Sequence, residues 1–366
     1  MTELLRDEAP AAGREGPNGS AVLPEVERAS CRLELGLMPG GGPGSWYFRG
    51  YAVFHCLNAL ADLGLLDRLR EGEELEIARL AGERCFDSAV LAAVARYLFG
   101  LRILDRCGDG RYRLAVEIPD ESLGMVRLLF AYDPVFHNLA RVIRGELVYG
   151  AALGRSPVLD IEATAMICKG ISYDPVVEVL EGLGARRVLD LGCGAAEMLI
   201  RWCDRNPEVQ GYGIDVSPEV VEFARARVAG QALDDRIRIA TGDLRSLGFL
   251  RNGFLPHGDR RQLDAIVAMA VLHEFTGESL EPLAEILRQL HGELAGVPLV
   301  LFEGLEQSDE ELRRSASSVL EHHLFHRLSR QGIASRQEWE RTFARASYSV
   351  LEARPVATGG IIFVLS

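Results

Sequence analysis

The sequence predicts an α/β protein in two parts: a mostly parallel sheet covered by helices on both faces, preceded by a smaller, mainly helical domain. Three observations carry that reading. From Val176 onward, short apolar runs alternate with helical stretches, the pattern of parallel strands joined by crossover helices. The first of these runs, residues 188–191, passes directly into a turn containing two glycines. The chain has 366 residues, 48% of them hydrophobic, which is more than most single compact domains hold.

Residues 1–44 are rich in Gly, Pro, Ala and Glu and end in Leu37-Met38-Pro39-Gly40-Gly41-Gly42-Pro43-Gly44, a composition that predicts a disordered tail. Order is expected from Trp46. Over residues 51–66, Val53, Leu57, Leu60, Ala61 and Leu65 recur at helical spacing. Residues 74–81 and 88–99 read as two further helices, 101–104 as a strand, Asp109-Gly110 as a turn and 112–114 as the return strand. Three helices followed by a hairpin make residues 45–118 a winged-helix-like domain. Its arginines are interleaved with Asp and Glu, so the expected role is dimerisation and substrate coverage rather than DNA binding. Trp46, Tyr47, Phe48 and Tyr51 are expected as core or dimer contacts. Residues 119–175 read as a helical linker and lid, with a helix over 130–165 punctuated by Asp133-Pro134 and Arg155-Ser156-Pro157.

The second domain spans residues 176–366. Strands are expected at 188–191, 210–215, 237–240, 263–269 and 298–302, with a closing pair at 347–353 and 360–365. Helices are expected at 195–206, 218–229 and 282–294, the last with Pro282 in its first turn.

Composition narrows the function. A formal charge of −13 gives no general attraction for nucleic acid or an anionic membrane. No apolar run is long enough to cross a bilayer, and residues 1–20 lack the basic and apolar regions of a secretory signal. The seven cysteines are scattered and form no CxxC, the usage of reduced thiols in a cytosolic enzyme.

The loop Asp190-Leu191-Gly192-Cys193-Gly194-Ala195-Ala196-Glu197 joins the first strand to its helix, where glycines let a ligand approach the backbone. A dinucleotide fingerprint has the same strand–turn–helix setting but calls for a third glycine where Glu197 stands. A carboxylate in the first helical turn would also repel a pyrophosphate seated there. Cys193 reads as a compact residue in a tight turn. Asp215 ends the second strand about 20 residues further on, where an acid accepts hydrogen bonds from ribose hydroxyls. Asp243 ends the third, where a carboxylate can accept from an adenine amino group. Three acids at successive strand ends face one crevice.

Residues 188–197, Gly213-Ile214-Asp215, Gly242-Asp243 and residues 264–273 resemble, as a set, the successive motifs of class I S-adenosylmethionine-dependent methyltransferases. The resemblance covers roughly residues 176–366, with Ala196 standing where the family usually has a third glycine. It implies a Rossmann-like domain with a mostly parallel seven-stranded sheet and S-adenosylmethionine as cofactor. It places Asp190 and Gly192 by the methionine part, Asp215 on the ribose, and Asp243 with Leu244 around the adenine; Gly194 in the loop and Ala268 in the fourth strand complete the cofactor-binding set. The front half resembles that of small-molecule methyltransferases of secondary metabolism, which implies a homodimer. Ala131-Tyr132-Asp133-Pro134, Tyr149-Gly150 and Leu328-Ser329-Arg330-Gln331-Gly332 resemble enzymes that methylate 2-oxo acids such as 2-ketoarginine. That likeness also brings in enzymes that cyclise S-adenosylmethionine to azetidine-2-carboxylate.

Methyl transfer needs an aligned nucleophile, a dry site and often a base. His273, in Ala270-Val271-Leu272-His273-Glu274 after the fourth strand, is the expected base or metal ligand. His322 and His326 lie four apart on one helix face and with His273 form a candidate seat for a divalent or ferric ion. Tyr132, Asn138 and Tyr173 are expected over the cofactor, aromatic faces being attracted to a sulfonium. The expected reaction is carbon methylation of a 2-oxo acid. Cyclisation of S-adenosylmethionine with release of methylthioadenosine is the alternative, and a winged-helix regulator sensing S-adenosylmethionine is the non-enzymatic one.

Overall fold

The structure is a computed structural model that describes residues 43–250, 254–255, 263–277, 279–314, 319–356 and 359–366. The tail expected over residues 1–44 therefore falls, but for its last two residues, outside the described residues. Contacts divide the chain into Met1–His55 and Cys56–Ser366, the division falling inside the first helix, α1 (Pro43–Asp62). In the first unit Tyr51 and His55 meet edge to face with centroids 4.4 Å apart, and Phe48 and Tyr51 are exposed. The Trp46 and Tyr47 side chains lie outside the described residues.

In the second unit α2 (Leu65–Arg70), β1 (Leu75–Glu76), α3 (Ile77–Arg84), α4 (Ser88–Gly100), β2 (Leu104–Gly108) and β3 (Arg111–Leu114) come first. The strands form an antiparallel sheet in the order β1-β3-β2. Asp87 caps α4 by accepting from the Ala89 and Val90 amides. Two expectations are corrected here. Residues 74–76 are not helical: Leu75 pairs with Tyr112 and buries its side chain, so pairing overrides helical propensity. The strand expected at 101–104 begins only at Leu104. The Leu101 and Ile103 amides bond back to Tyr97 and Leu98 carbonyls, and Arg102 takes φ 60°, which makes this stretch the closing turn of α4.

The linker holds α5 (Asp120–Ala131), α6 (Asp133–His137), α7 (Leu139–Ile143) and α8 (Pro157–Cys168). The helix expected over 130–165 is interrupted, because 144–156 is irregular and turns at Gly145 and Gly150 with positive φ. Gly124 lets α5 lie close on α8; a Cβ there would sit 2.8 Å from the Ala163 carbonyl oxygen. A π-helical turn, Lys169–Tyr173, then leads into α9 (Asp174–Gly182).

The large sheet follows with β4 (Arg187–Leu191), α10 (Glu197–Arg205), β5 (Gln210–Asp215), α11 (Pro218–Gly230), β6 (Ile237–Thr241), β7 (Ala265–Met269), α12 (Glu281–Glu293) and β8 (Leu299–Gly304). Three helices, α13 (Asp309–Arg314), α14 (Val319–Leu328) and α15 (Arg336–Arg345), precede β9 (Val350–Pro355) and β10 (Gly360–Leu365). The strand order is β6-β5-β4-β7-β8-β10-β9. The first five run parallel, and β10 is antiparallel to both neighbours. β4, β7 and β8 are buried along nearly their whole length because helices cover both faces. Leu189, Ile266, Leu287, Trp339 and Phe343 fill one side, while Val188, Trp202, Val221, Val267 and Val300 fill the other. The crevice lies at the carboxyl edge around β4, where the chain order reverses between β5 and β7.

Candidate active site

Leu191 ends β4, and the loop turns at Gly192 (φ 68°), Gly194 (φ 50°) and Ala196 (φ 57°) before α10 starts at Glu197. The left-handed φ at Ala196 delays the helix expected from Ala195 and explains why a glycine suits that position. A Cβ on Gly192 would meet Val271 Cγ2 at 2.4 Å, so glycine lets this loop abut the loop that carries His273. A Cβ on Gly194 would touch Ile161, which places α8 over the same turn. Cys193 is buried, its sulfur facing bare Gly213; a Cβ on Gly213 would lie 2.8 Å from Sγ.

Asp215 Oδ2 accepts from the Gly194 amide at 3.2 Å and Oδ1 from the Ser217 amide at 3.0 Å. Asp190 is almost fully buried; burial, and then the negative charge of Asp215, push its carboxyl up to about 8. Burial also raises Asp215. Two facing acids held above their ordinary range suit a cationic ligand, and S-adenosylmethionine brings both a sulfonium and an ammonium. Tyr173, presented by the π-helical turn, is buried. Burial first, and then Cys168, Glu197 and Asp190, hold its hydroxyl well above the usual range. Val216 is exposed just after Asp215, an apolar surface on which a flat base can rest. Asp243 is engaged by Arg245, whose backbone amide (2.9 Å) and guanidinium (2.7 Å) both donate to it. Leu244 is buried beside it, and Ala268 is wholly buried within β7.

His273 sits in a 3₁₀ turn, Leu272–Phe275, at the end of β7. Its Nδ1 lies 2.8 Å from Oε2 of Glu303, a fully buried carboxylate at the end of β8. Glu303 Oε1 accepts from the Val271 (3.1 Å) and Leu272 (2.7 Å) amides, which fixes the carboxylate. We assign the Nδ1 proton to this contact, leaving the Nε2 lone pair as the basic one. Burial lowers the imidazole's affinity for a proton, but Glu303 outweighs it and the net shift is upward. The His326 ring from α14 meets that of His273 edge to face, with centroids 4.4 Å apart. The His322 side chain lies outside the described residues. Among the described residues no group of three or more His, Cys, Asp or Glu is gathered to hold a metal ion.

Beside the imidazole lies Arg155. Its guanidinium donates to Asp160 (2.7 Å), Glu274 (2.7 Å) and the hydroxyls of Tyr132 (3.2 Å) and Tyr149 (3.1 Å). Tyr132 stacks on Phe325 at 4.7 Å. Ser329 donates to the Gln331 side-chain oxygen at 2.8 Å, and Leu328 packs in one apolar cluster with Ala131, Tyr132 and Tyr149. The three separate stretches of residues 131–134, 149–150 and 328–332 thus meet in one place. Asn138 stands apart from that network, its amide bonded to the Pro134 carbonyl of its own turn at 2.9 Å. Sequence reasoning missed Glu303, whose only signal was an acid ending a buried apolar strand, and Arg155, which read as punctuation before a proline.

A family model described as a methyltransferase domain matches residues 188–292, which includes the loop at Gly192 and the turn at His273. Residues 188–292 are therefore a methyltransferase domain, and the fold and the acids at the strand ends agree with the class I S-adenosylmethionine-dependent type. The chain is 26% identical over 314 residues to an indolepyruvate C-methyltransferase of Streptomyces griseus, covering 82% of this chain and 87% of that one. It is 26% identical over 321 residues to a 2-ketoarginine methyltransferase of Streptomyces arginensis, covering 84% and 88%. In fold it is similar to human N-acetylserotonin methyltransferase solved with S-adenosylmethionine, with a TM-score of 0.63 at 15% identity over 90% of this chain and 99% of that one. No helix among the described residues is long and apolar enough to cross a membrane.

Proposed function

We propose that the enzyme belongs to secondary metabolism and methylates the β-carbon of a small 2-oxo acid. The observation that carries this reading is the Glu303–His273 pair, set where the cofactor loop and the turn after β7 abut. His273 Nε2 takes a proton from the carbon beside the keto group, and the resulting enolate carbon attacks the sulfonium methyl in line. The carbon–carbon bond forms as the sulfur–methyl bond breaks, S-adenosylhomocysteine leaves, and the proton stays on His273 until solvent takes it. Both relatives quoted above are named as methyltransferases, one of indolepyruvate and one of 2-ketoarginine, which supports a 2-oxo acid acceptor. The test is mass spectrometry of the pure enzyme with S-adenosylmethionine and a panel of 2-oxo acids. A product heavier by one methylene, with S-adenosylhomocysteine, is expected. Methylthioadenosine from S-adenosylmethionine alone would establish cyclisation instead.

The His273–His326 contact favours a variant of this reading. The two imidazoles would hold a divalent or ferric ion, and a chelating 2-oxo acid would supply oxygen ligands. Such an ion, when bound, acts as a Lewis acid that acidifies the β-carbon. Loss of turnover on exhaustive chelation, with S-adenosylmethionine affinity kept, supports the ion; full activity leaves His273 as the base alone.

A further inference from the structure

We propose that Arg155 is the docking group for the substrate's carboxylate and that Glu274 is its resident anion, displaced when substrate binds. The inference rests on the 2-oxo acid reading. Arg155 is four-fifths buried beside the base, and four of its N–H groups are already used: one on Asp160, one on Glu274 and two on tyrosine hydroxyls. The partners differ in how firmly they are held. Asp160 is carried with Arg155 on the lid segment and is 15% exposed, whereas Glu274 reaches Arg155 from the turn after β7 and is 35% exposed. An incoming carboxylate can accept the same charge-assisted Nη2–H bond that Glu274 accepts. It therefore takes the place of Glu274, the more accessible anion.

The position also suits the chemistry. Glu274 and His273 share one turn and each feels the other's charge, so an acid held where Glu274 meets Arg155 sets the adjoining keto group and β-carbon toward the imidazole. Tyr132 and Tyr149 hold the guanidinium by their hydroxyls throughout, so the docking group does not move with the anion it carries.

The test compares indole-3-pyruvate with its methyl ester, each read as substrate or as competitive inhibitor, for wild type and for Arg155→Gln, Arg155→Lys and Glu274→Gln. Arg155→Gln should remove the preference for acid over ester, by about tenfold or more, with S-adenosylmethionine affinity kept, and Arg155→Lys should restore part of it. Glu274→Gln should lower KM for the acid, because the anion that competes for Arg155 is gone. Equal losses for acid and ester in the Arg155 variants would make Arg155 a structural clamp and overturn the inference. A KM for the acid that rises in Glu274→Gln would overturn it as well, and does so even if the Arg155 variants fail to fold. If wild type methylates no 2-oxo acid of the panel, the proposed function itself falls and the exchange falls with it.

Discussion

At the scale of single residues, the buried Glu303 makes His273 a base whose behaviour can be read against pH. Burial opposes the imidazolium and Glu303 favours it, so its proton is lost above the ordinary histidine value. Activity should rise with pH through that raised value and then level off. In Glu303→Gln the carboxylate's pull is gone and burial dominates, so the rising limb should move to lower pH; an unmoved limb would detach Glu303 from the base. The sign for stability is the reverse: the protonated pair stabilises the fold below the unfolded-state value and loses that effect as pH rises through the raised one. His273→Ala should lower the rate on the order of 10²-fold or more with S-adenosylmethionine binding preserved. Asp215→Ala should weaken S-adenosylmethionine binding by roughly 1.5–3 kcal/mol through loss of a charge-assisted hydrogen bond, as calorimetry would record. Asp190, raised to about 8, must lose its proton to face a cation, so affinity should climb as pH approaches 8 and level off above it. Calorimetry in buffers of different ionisation enthalpy would show one proton released; no release would mean Asp190 stays neutral in the complex.

At the scale of elements, function depends on three strand ends being level. The loops after β4, β5 and β7 reach one crevice because the strands are parallel and in register, Leu191 lying beside both Ile214 and Ala268. The contact of Gly192 with Val271 couples two of those loops. Gly192→Ala forces a Cβ into Val271 from a left-handed backbone position, so it should reduce both S-adenosylmethionine affinity and turnover. Gly184→Ala, also at positive φ but with open space around it, serves as the control, carrying only the backbone strain. Equal effects of the two in binding assays would show that the loop contact does not matter. The linker reaches the site through α8, where Ile161 covers Gly194 and the neighbouring Asp160 holds Arg155.

At the scale of the whole molecule, the open question is assembly. We propose that the front region, with its winged-helix-like order of helices and hairpin, forms a homodimer. Exposed Phe48 and Tyr51, together with Val90 and Phe99, support the reading, since stable interfaces gather aromatic and aliphatic surface. Removing residues 1–42 should leave a dimer in light scattering, and a truncation to residue 119 should give a monomer or aggregate. A full-length monomer at micromolar concentration would contradict the proposal.

Much of this architecture was legible in the chain itself. The alternation after Val176, the glycines at 192 and 194 and the acids at 190 and 215 follow from local rules: strand and helix periods, turn stereochemistry and the need for an acid at a strand end. Those rules act over a few residues, so the sequence alone determined the parallel sheet and the glycine turn after its first strand, while the cofactor came from the resemblance of the motifs as a set. The order of the sheet, the antiparallel β10 and the corrected ends of α3 and β2 depend on partners far away in the chain. So does the chemistry around the base. Glu303 lies 30 residues from His273 and Arg155 lies 119 from Glu274, and neither spacing has any period that marks it. Only packing brings them together, because a buried charge is tolerated where the fold supplies its counter-charge and hydrogen bonds, and that requirement is met in space rather than along the chain.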